Sequence, residues 1–425
     1  MAQKTLRDVY IIGGLRTPFV KSFTQYDGIS TQQLMEVPLK ALVEKYGLKG
    51  KEVGDVALGA VIGSSKNWNL ARECVQSSGL SPNTPAYNVQ RACGTGLETT
   101  FQLYTKIAMG MMESGIAGGV DTNSDAPVEV NSAIRSMLMN LKNAKTWGQR
   151  LSALFGASFR KFGLVVPAVV EPRTGLSMGQ HCELMVKEWK ISQAQQDELA
   201  LKSHQTAAKA YKDGFYNDLI VPVGNVQKDA FVRADTTIEK LASLKPAFDK
   251  QNGTITAGNA SPLTDGASVV LLASPEEAQK NGWVPGARMI DVQVAAVDYV
   301  GGAGLLMAPT KAVAQLLERN QMKLSDFDYY EIHEAFAGQV LCTLKAWEDE
   351  KYCREVLGAK AALGSVDRSK MNIVGGSVAL GHPFAATGGR ILASLAKLLK
   401  GTKKRALISI CTAGGMGIAA IVEGV

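Results

Sequence analysis

The amino-acid sequence predicts an α/β fold with a mainly parallel sheet, and three observations carry that prediction. Short runs apolar on both faces, at residues 9–12, 56–62 and 115–120, alternate with helix-like patterns, as strands covered by helices on both sides require. The 43 glycines concentrate where strand-like runs hand over to helix-like ones, which marks tight junctions. After Pro285 the same rhythm starts again, so two similar units packed together are expected.

Val9-Tyr10-Ile11-Ile12 reads as a buried strand, and Arg16-Thr17-Pro18 turns out of it. A helix capped by Thr31 runs to Tyr46 and stops at Gly47, with Pro38 an irregularity inside it. The strand-like run 56–62 follows. A polar, extended approach then leads to Cys93, a helix pattern covers 97–112, and residues 115–120 form the next strand. The rhythm breaks from about 121 to 246, a helix-rich insertion with patterns over 133–155, 178–189 and 192–215. Strand patterns resume at 254–261 and 265–272. In the second unit a helix starts at Thr310, a strand covers 328–332, and a Gly-rich junction with His382 opens a helix over 387–399. Strands at 405–411 and 417–422 close the chain. The expected division is 1–120 plus 247–275 for the first half, 121–246 for the inserted domain, and 276–425 for the second half. Cys93 and His382 fall at matching junctions.

Composition narrows the function classes. With 46% hydrophobic and 20% charged residues, a globular protein is expected rather than a disordered one. No apolar run approaches the ~20 residues of a membrane span. The first strand begins almost at once, which leaves no room for a leader. Cys74, Cys93, Cys182, Cys342, Cys353 and Cys411 show no CxxC spacing. That argues against a disulfide framework and a zinc site and fits a reduced, cytoplasmic compartment. The net charge of +7 is local: residues 131–170 carry six basic residues and no acidic one, and removing those six from the 46 basic residues leaves 40 against 39 acidic. This points to a surface patch rather than to nucleic-acid binding.

Four segments carry reactive side chains at Gly-rich junctions: Cys93-Gly94-Thr95-Gly96, His333-Glu334-Ala335-Phe336, Gly381-His382-Pro383, and Cys411-Thr412-Ala413-Gly414-Gly415. Singly, each has a structural reading. Cys93 packs a corner, His333 caps a strand, His382 is a turn histidine and Cys411 is core. Together, two thiols and two imidazoles at sheet edges supply a nucleophile, a base, a second acid/base and an oxyanion donor, the parts acyl transfer needs. At a helix start the Cys93 thiol is expected to have a lowered pKa.

These four segments, with Gly258-Asn259-Ala260-Ser261 and Asp265-Gly266-Ala267, resemble the ordered motifs of the thiolase family over nearly the whole chain. The resemblance implies two duplicated βαβαβαββ halves with a helical loop-domain insertion. It implies that Cys93 attacks the 3-keto carbon of a 3-ketoacyl-CoA while His382 takes the thiol proton. Cys411 protonates the acetyl-CoA enolate, and a CoA thiol collects the acyl group. His333 and His382 polarise the thioester oxygen, and the N–H groups of Cys93 and Ala413 hold the oxyanion. Met178, Ser261, Ala335 and Phe336 match positions lining the pantetheine and acyl pocket. CoA is a substrate, and no permanently bound cofactor is implied.

Three positions depart from common thiolase patterns. His333 stands where asparagine is frequent. Ser177 stands before Met178-Gly179 where short-chain biosynthetic thiolases often have histidine. Ala413 replaces a glycine, which is neutral unless φ there is positive. His333 and the run 381–388 resemble the β-subunit branch of the fatty-acid-oxidation trifunctional complex, so a medium- or long-chain degradative thiolase is expected. The alternatives are an acetoacetyl-CoA thiolase run as a condensing enzyme, a decarboxylating ketoacyl synthase, against which the paired thiols argue, and a non-catalytic lipid-binding scaffold. The resemblance further implies a homodimer or a dimer of dimers. In the β-subunit branch the insertion is associated with a hydratase/dehydrogenase α subunit or a membrane. Within 131–170, Trp147, Phe155, Phe159 and Phe162 flanked only by cations suit an anionic surface. The competing reading is a helical cover over the site, its cations near the CoA phosphates.

Overall fold

The computed structural model describes residues 6–155, 163–165 and 170–425, with only the backbone at Phe155, Leu164 and Val165. Phe159 and Phe162 therefore lie outside the described residues.

The first half runs β1 (Val9–Arg16), β2 (Val20–Lys21), α1 (Thr31–Lys45), β3 (Asp55–Leu58), α2 (Leu70–Ser78), β4 (Ala86–Asn88), α3 (Thr95–Ala108) and β5 (Ser114–Asp121). The intervening region contributes β6 (Glu129–Val130), α4 (Ser132–Asn143), α5 (Trp147–Phe155), β7 (Leu164–Val165), α6 (Met178–Glu188), α7 (Gln193–Lys212) and α8 (Ile238–Ala242). The chain returns through β8 (Thr264–Ala273) and α9 (Pro275–Lys280). It continues with β9 (Ala287–Ala296), α10 (Ala308–Asn320), β10 (Tyr329–Ile332), α11 (Ala337–Glu348), α12 (Glu350–Glu355), α13 (Ser377–Leu380), α14 (Thr387–Leu399), β11 (Arg405–Thr412) and β12 (Met416–Glu423).

The strand order β10-β11-β12-β9-β1-β8-β5-β3-β4 is symmetric about its centre. The β1–β9 pair is antiparallel. Outward from it, β1–β8 and β8–β5 are antiparallel and β5–β3 parallel. On the other side, β9–β12 and β12–β11 are antiparallel and β11–β10 parallel. Even β4 has a counterpart, a parallel bridge between Tyr330 and Met371. The sheet is thus mixed rather than mainly parallel. In the second half β12 follows β11 through a short glycine turn with no crossover helix, and a crossover is what parallel pairing needs.

Three apolar clusters form the layers. One lies against the outer face of the first half, with Leu34, Leu39, Leu42 and Val75 from α1 and α2. Another lies against the second half, with Val313, Leu316, Val340 and Leu344 from α10 and α11. The third joins both halves, combining Ile11, Ala117 and Leu272 with Ile391, Leu395, Ile408 and Ile418. Helices α3 and α14 lie in this shared layer and touch each other through glycine. A Cβ on Gly96 would sit 2.7 Å from the Ala385 carbonyl oxygen, and one on Gly388 would sit 2.3 Å from the Leu97 nitrogen.

Several local expectations change. Ser30, not Thr31, caps α1, in a capping box with Gln33. No strand forms over 254–261; isolated bridges from Thr256 and Ala260 replace it. The stripe over 133–155 is two helices, broken where Ala144 is extended. Strand β9 has no counterpart in the sequence reading, because its burial is irregular and it carries Arg288 and Asp291. The intervening region is fastened to β1 by a buried bidentate pair, Arg16 to Asp229, at 2.6 Å through each nitrogen. Asp229 also accepts from the Phe19 N–H and the Tyr211 hydroxyl.

Candidate active site

Cys93 ends a tight turn one residue before the helix cap Gly94. Ala92 has φ of 44°, a left-handed conformation costing a side-chain-bearing residue roughly 1–2 kcal/mol. Neighbouring bonds hold it there. Gly94 N–H donates to Arg91 O at 3.0 Å, Thr95 N–H to Ala92 O at 3.0 Å, and the Thr95 hydroxyl to the same carbonyl at 2.7 Å. Gly94 has no room for a side chain, since a Cβ would lie 2.9 Å from Ile418 Cγ2 and 3.0 Å from Thr412 Cγ2. The first-half turn is therefore pressed against β11 and β12 of the second half.

The expected depression of the Cys93 pKa is absent. Cys93 is partly exposed, yet its thiol is dehydrated enough that burial pushes it up to about 12. The N–H groups of Ala413 and of Cys93 itself act on the sulfur in the opposite direction, and nearby Asp121 adds to the rise. Desolvation outweighs the helix start because Cys93 lies outside α3, beyond its cap. In the resting protein Cys93 is a thiol.

The two imidazoles face each other, with ring centroids 4.2 Å apart. His382 Nδ1 lies 2.7 Å from Thr387 Oγ1, and His333 Nδ1 lies 3.0 Å from Ser377 Oγ. Both Nε2 atoms are buried without a protein partner among the described residues. Burial, with Arg390 nearby, lowers His382 to about 3, and burial with His382 and Arg390 holds His333 well below its usual value. Both rings are neutral at pH 7. His382 does not sit in strict register with Cys93. The helices open as Thr95-Gly96 and Thr387-Gly388, which aligns Cys93 with Ala385 and places His382 three residues earlier.

Cys411 is the penultimate residue of β11, fully buried, its thiol pushed well above the usual range by burial and then by the neighbouring Cys93, while the Ala335 N–H opposes this. All six cysteines are free thiols. Ala413 is not among the residues of positive φ, whereas Gly414 (75°) and Gly415 (67°) are, so alanine is unstrained there. Ser261 donates through both N–H and Oγ to the Ala335 carbonyl, at 3.0 and 2.8 Å. Ala260 bridges Phe336, and Phe336 packs edge-on to Phe248. Met178 packs at the margin of the same apolar cluster as Ala335 and Phe336. The structure thus brings Ser261, Ala335 and Phe336 together with the reactive groups, with Met178 at the rim. The Ser177 hydroxyl caps α6 and bonds to Gln180.

Supporting residues escaped the sequence reading. Glu334 is buried and accepts from Ser203, Asn372 and the Val378 N–H. Gly376 lies against it, since a Cβ would come 2.0 Å from the carboxylate carbon. Ser377 stood within a Gly-Gly-Ser run, the only local signal that pointed to it. Glu171 accepts from the Gly414 N–H at 2.6 Å and ties the glycine turn to the intervening region. Asp121 accepts from Val61, Ile62 and Ala385 backbone N–H groups.

Residues 9–276 match the family described as Thiolase, N-terminal domain, and residues 284–424 match Thiolase, C-terminal domain; the chain belongs to the thiolase family. It is 38% identical to the 3-ketoacyl-CoA thiolase of Shewanella halifaxensis, over 98% of this chain and 96% of that protein. It is 37% identical to the 3-ketoacyl-CoA thiolase of Yersinia enterocolitica, with the same coverage. Among solved structures, Bacillus anthracis acetyl-CoA acetyltransferase superposes with a TM-score of 0.82 at 31% identity, covering 99% of this chain and 100% of that one. Human mitochondrial 3-ketoacyl-CoA thiolase in complex with CoA gives 0.81 at 29%, covering 100% of each.

Proposed function

We propose that this chain is an acetyl-CoA C-acyltransferase, a 3-ketoacyl-CoA thiolase that cleaves medium- and long-chain 3-ketoacyl-CoA to acetyl-CoA and a shortened acyl-CoA in fatty-acid β-oxidation. One observation carries the reading: two neutral imidazoles with bare Nε2 atoms face each other, and two protonated thiols neighbour one another.

Proton bookkeeping assigns the roles. The single hydrogen of the Thr387 hydroxyl points to the Pro383 carbonyl. His382 Nδ1 therefore donates to Thr387, leaving a lone pair on Nε2. That nitrogen removes the Cys93 proton as sulfur attacks C3, so the nucleophile forms only with substrate in place. Breaking the C2–C3 bond leaves the acyl chain on Cys93 and an acetyl-CoA enolate, which takes the Cys411 proton. The thiol of a second CoA then attacks the acyl carbonyl, its proton passing to the Cys411 thiolate, and the Cys93 sulfur leaves and recovers its proton from His382. The N–H groups of Cys93 and Ala413 bear on the reacting sulfur and suit the oxyanion, with His333 as a further donor. Ser261, Ala335, Phe336 and Met178 form the acyl and pantetheine wall. CoA is a substrate, and no permanent cofactor is required. The chain divides as 1–120 with 247–275, 121–246, and 276–425.

Charge complementarity supports a partner surface. Helices α4 and α5 pack mainly on each other, with Trp147 77% exposed and Leu138, Met139 and Leu151 also open beside Arg135, Lys142, Lys145 and Arg150. We assign this face to an anionic membrane or a hydratase/dehydrogenase α subunit. Salt-insensitive exclusion from anionic liposomes together with no binding to such a subunit would remove that assignment. Among the described residues strand β4 is the last of the sheet, which supports self-association as a dimer or a dimer of dimers. The cytoplasm is the expected compartment; among the described residues no helix is long and apolar enough to cross a membrane.

A kinetic series from acetoacetyl-CoA to 3-ketohexadecanoyl-CoA tests the substrate class. Rising kcat/KM with chain length is expected; activity confined to acetoacetyl-CoA would make the chain a condensing acetoacetyl-CoA thiolase instead.

A further inference from the structure

We infer that Ser377, held by the Arg390–Glu331 pair, is a positioning residue that fixes His333 as the Nε2–H tautomer, opposite to His382. The inference rests on the thiolase reading for its consequence and on hydrogen bonding for its substance.

Arg390 is buried within the α14 layer. Its Nη2 donates to Ser377 Oγ at 3.0 Å, and a guanidinium has only donors, so this bond uses an oxygen lone pair. The serine hydrogen needs an acceptor elsewhere. Among the described residues the acceptor in reach is His333 Nδ1, 3.0 Å away. A neutral imidazole that accepts at Nδ1 carries its proton on Nε2. Were Ser377 to accept from both neighbours, its own hydrogen would be orphaned in a dry interior.

Glu331 holds the guanidinium, with its Oε2 3.5 Å from Arg390 Nη1 and both side chains buried. Glu331 and His333 are two residues apart at the end of β10, so the carboxylate and the ring leave the strand on one side. Arg390 Nε has no partner among the described residues, which leaves the Glu331 and Ser377 contacts to orient the fork. The two Nε2 atoms are therefore unlike: His382 presents a lone pair for the Cys93 proton, and His333 presents N–H to a developing oxyanion. Two lone pairs there would repel the substrate oxygen.

The chain has four histidines, so 15N-histidine NMR of the full-length protein resolves the tautomers, assigned with His333→Asn and His382→Asn spectra. The expected spectrum has a bare Nδ1 on His333 and a bare Nε2 on His382. Ser377→Ala is expected to move His333 toward the Nδ1–H form and to lower kcat by roughly 10²-fold with little change in KM; Ser377→Thr restores both. If Ser377→Ala does not fold, the wild-type spectrum alone decides. A proton on His333 Nδ1 in the wild type overturns the inference, as does Ser377→Ala with unchanged spectrum and kcat. The expected tautomers in a protein without thiolysis would sink the thiolase reading and leave the relay standing. Thiolysis with Nδ1-protonated His333 would do the reverse.

Discussion

At the residue scale, the site is kept uncharged until substrate arrives. A thiol pushed up to about 12 and an imidazole lowered to about 3 do not form a resting ion pair. Cys93→Ala and Cys411→Ala are both expected to stay folded by circular dichroism and to lose thiolysis; if both remain active, the proton assignments above are wrong. The buried histidine also has a stability signature. Between pH 6.5 and about 3 the unfolded chain binds a proton at His382 that the folded chain does not, so this residue makes the protein less stable as pH falls. Asp121 and Glu331, each raised to about 7 by burial, act in the opposite sense over their own range. Comparing the stability lost between pH 7 and pH 5 by wild type and His382→Asn isolates the histidine, and urea denaturation should show the smaller loss in the variant. An equal loss would mean that His382 titrates normally.

At the element scale, the contact between α3 and α14 is what joins the two halves near the reactive groups. Gly96 meets the Ala385 carbonyl and the Gly389 nitrogen, at 2.7 and 2.8 Å from where a Cβ would stand. Backbone atoms of this kind cannot step aside as a flexible side chain can. Gly96→Ala and Gly388→Ala should each cost roughly 1–3 kcal/mol of stability, measured by urea denaturation, and should lower kcat as the helices part. A Cβ on Gly148, in α5, would meet nothing within 4 Å. Gly148→Ala is the control, neutral or stabilising by about 0.5–1 kcal/mol.

At the scale of the whole molecule, long-range polar contacts fasten the intervening region to the two halves. Asp229→Ala would leave Arg16 buried and unpaired, at a cost of roughly 3–5 kcal/mol, readable as a lower urea midpoint. Much of the architecture was legible because periodicity and glycine junctions are local. Helix α14 and strand β11 stand almost where the patterns place them, and His333 neighbours His382 as Cys93 neighbours Cys411. What escaped was tertiary. Strand β9 has an uneven burial pattern that mimics a loop. The Cys93 pKa is set by desolvation, a tertiary effect that helix-start reasoning does not see. Glu334, Asn372 and Ser203 form their cluster across 38 and 131 residues of chain, so no local motif announces it.

The central claim is that Cys93 carries the acyl chain. Mixing the protein with 3-ketohexadecanoyl-CoA in the absence of free CoA, followed by peptide mass spectrometry, reads this directly. A tetradecanoyl thioester on the Cys93 peptide, with an equivalent of acetyl-CoA released, is the predicted result. An acyl group on another residue, or acetyl-CoA released with Cys93 unmodified, would contradict it.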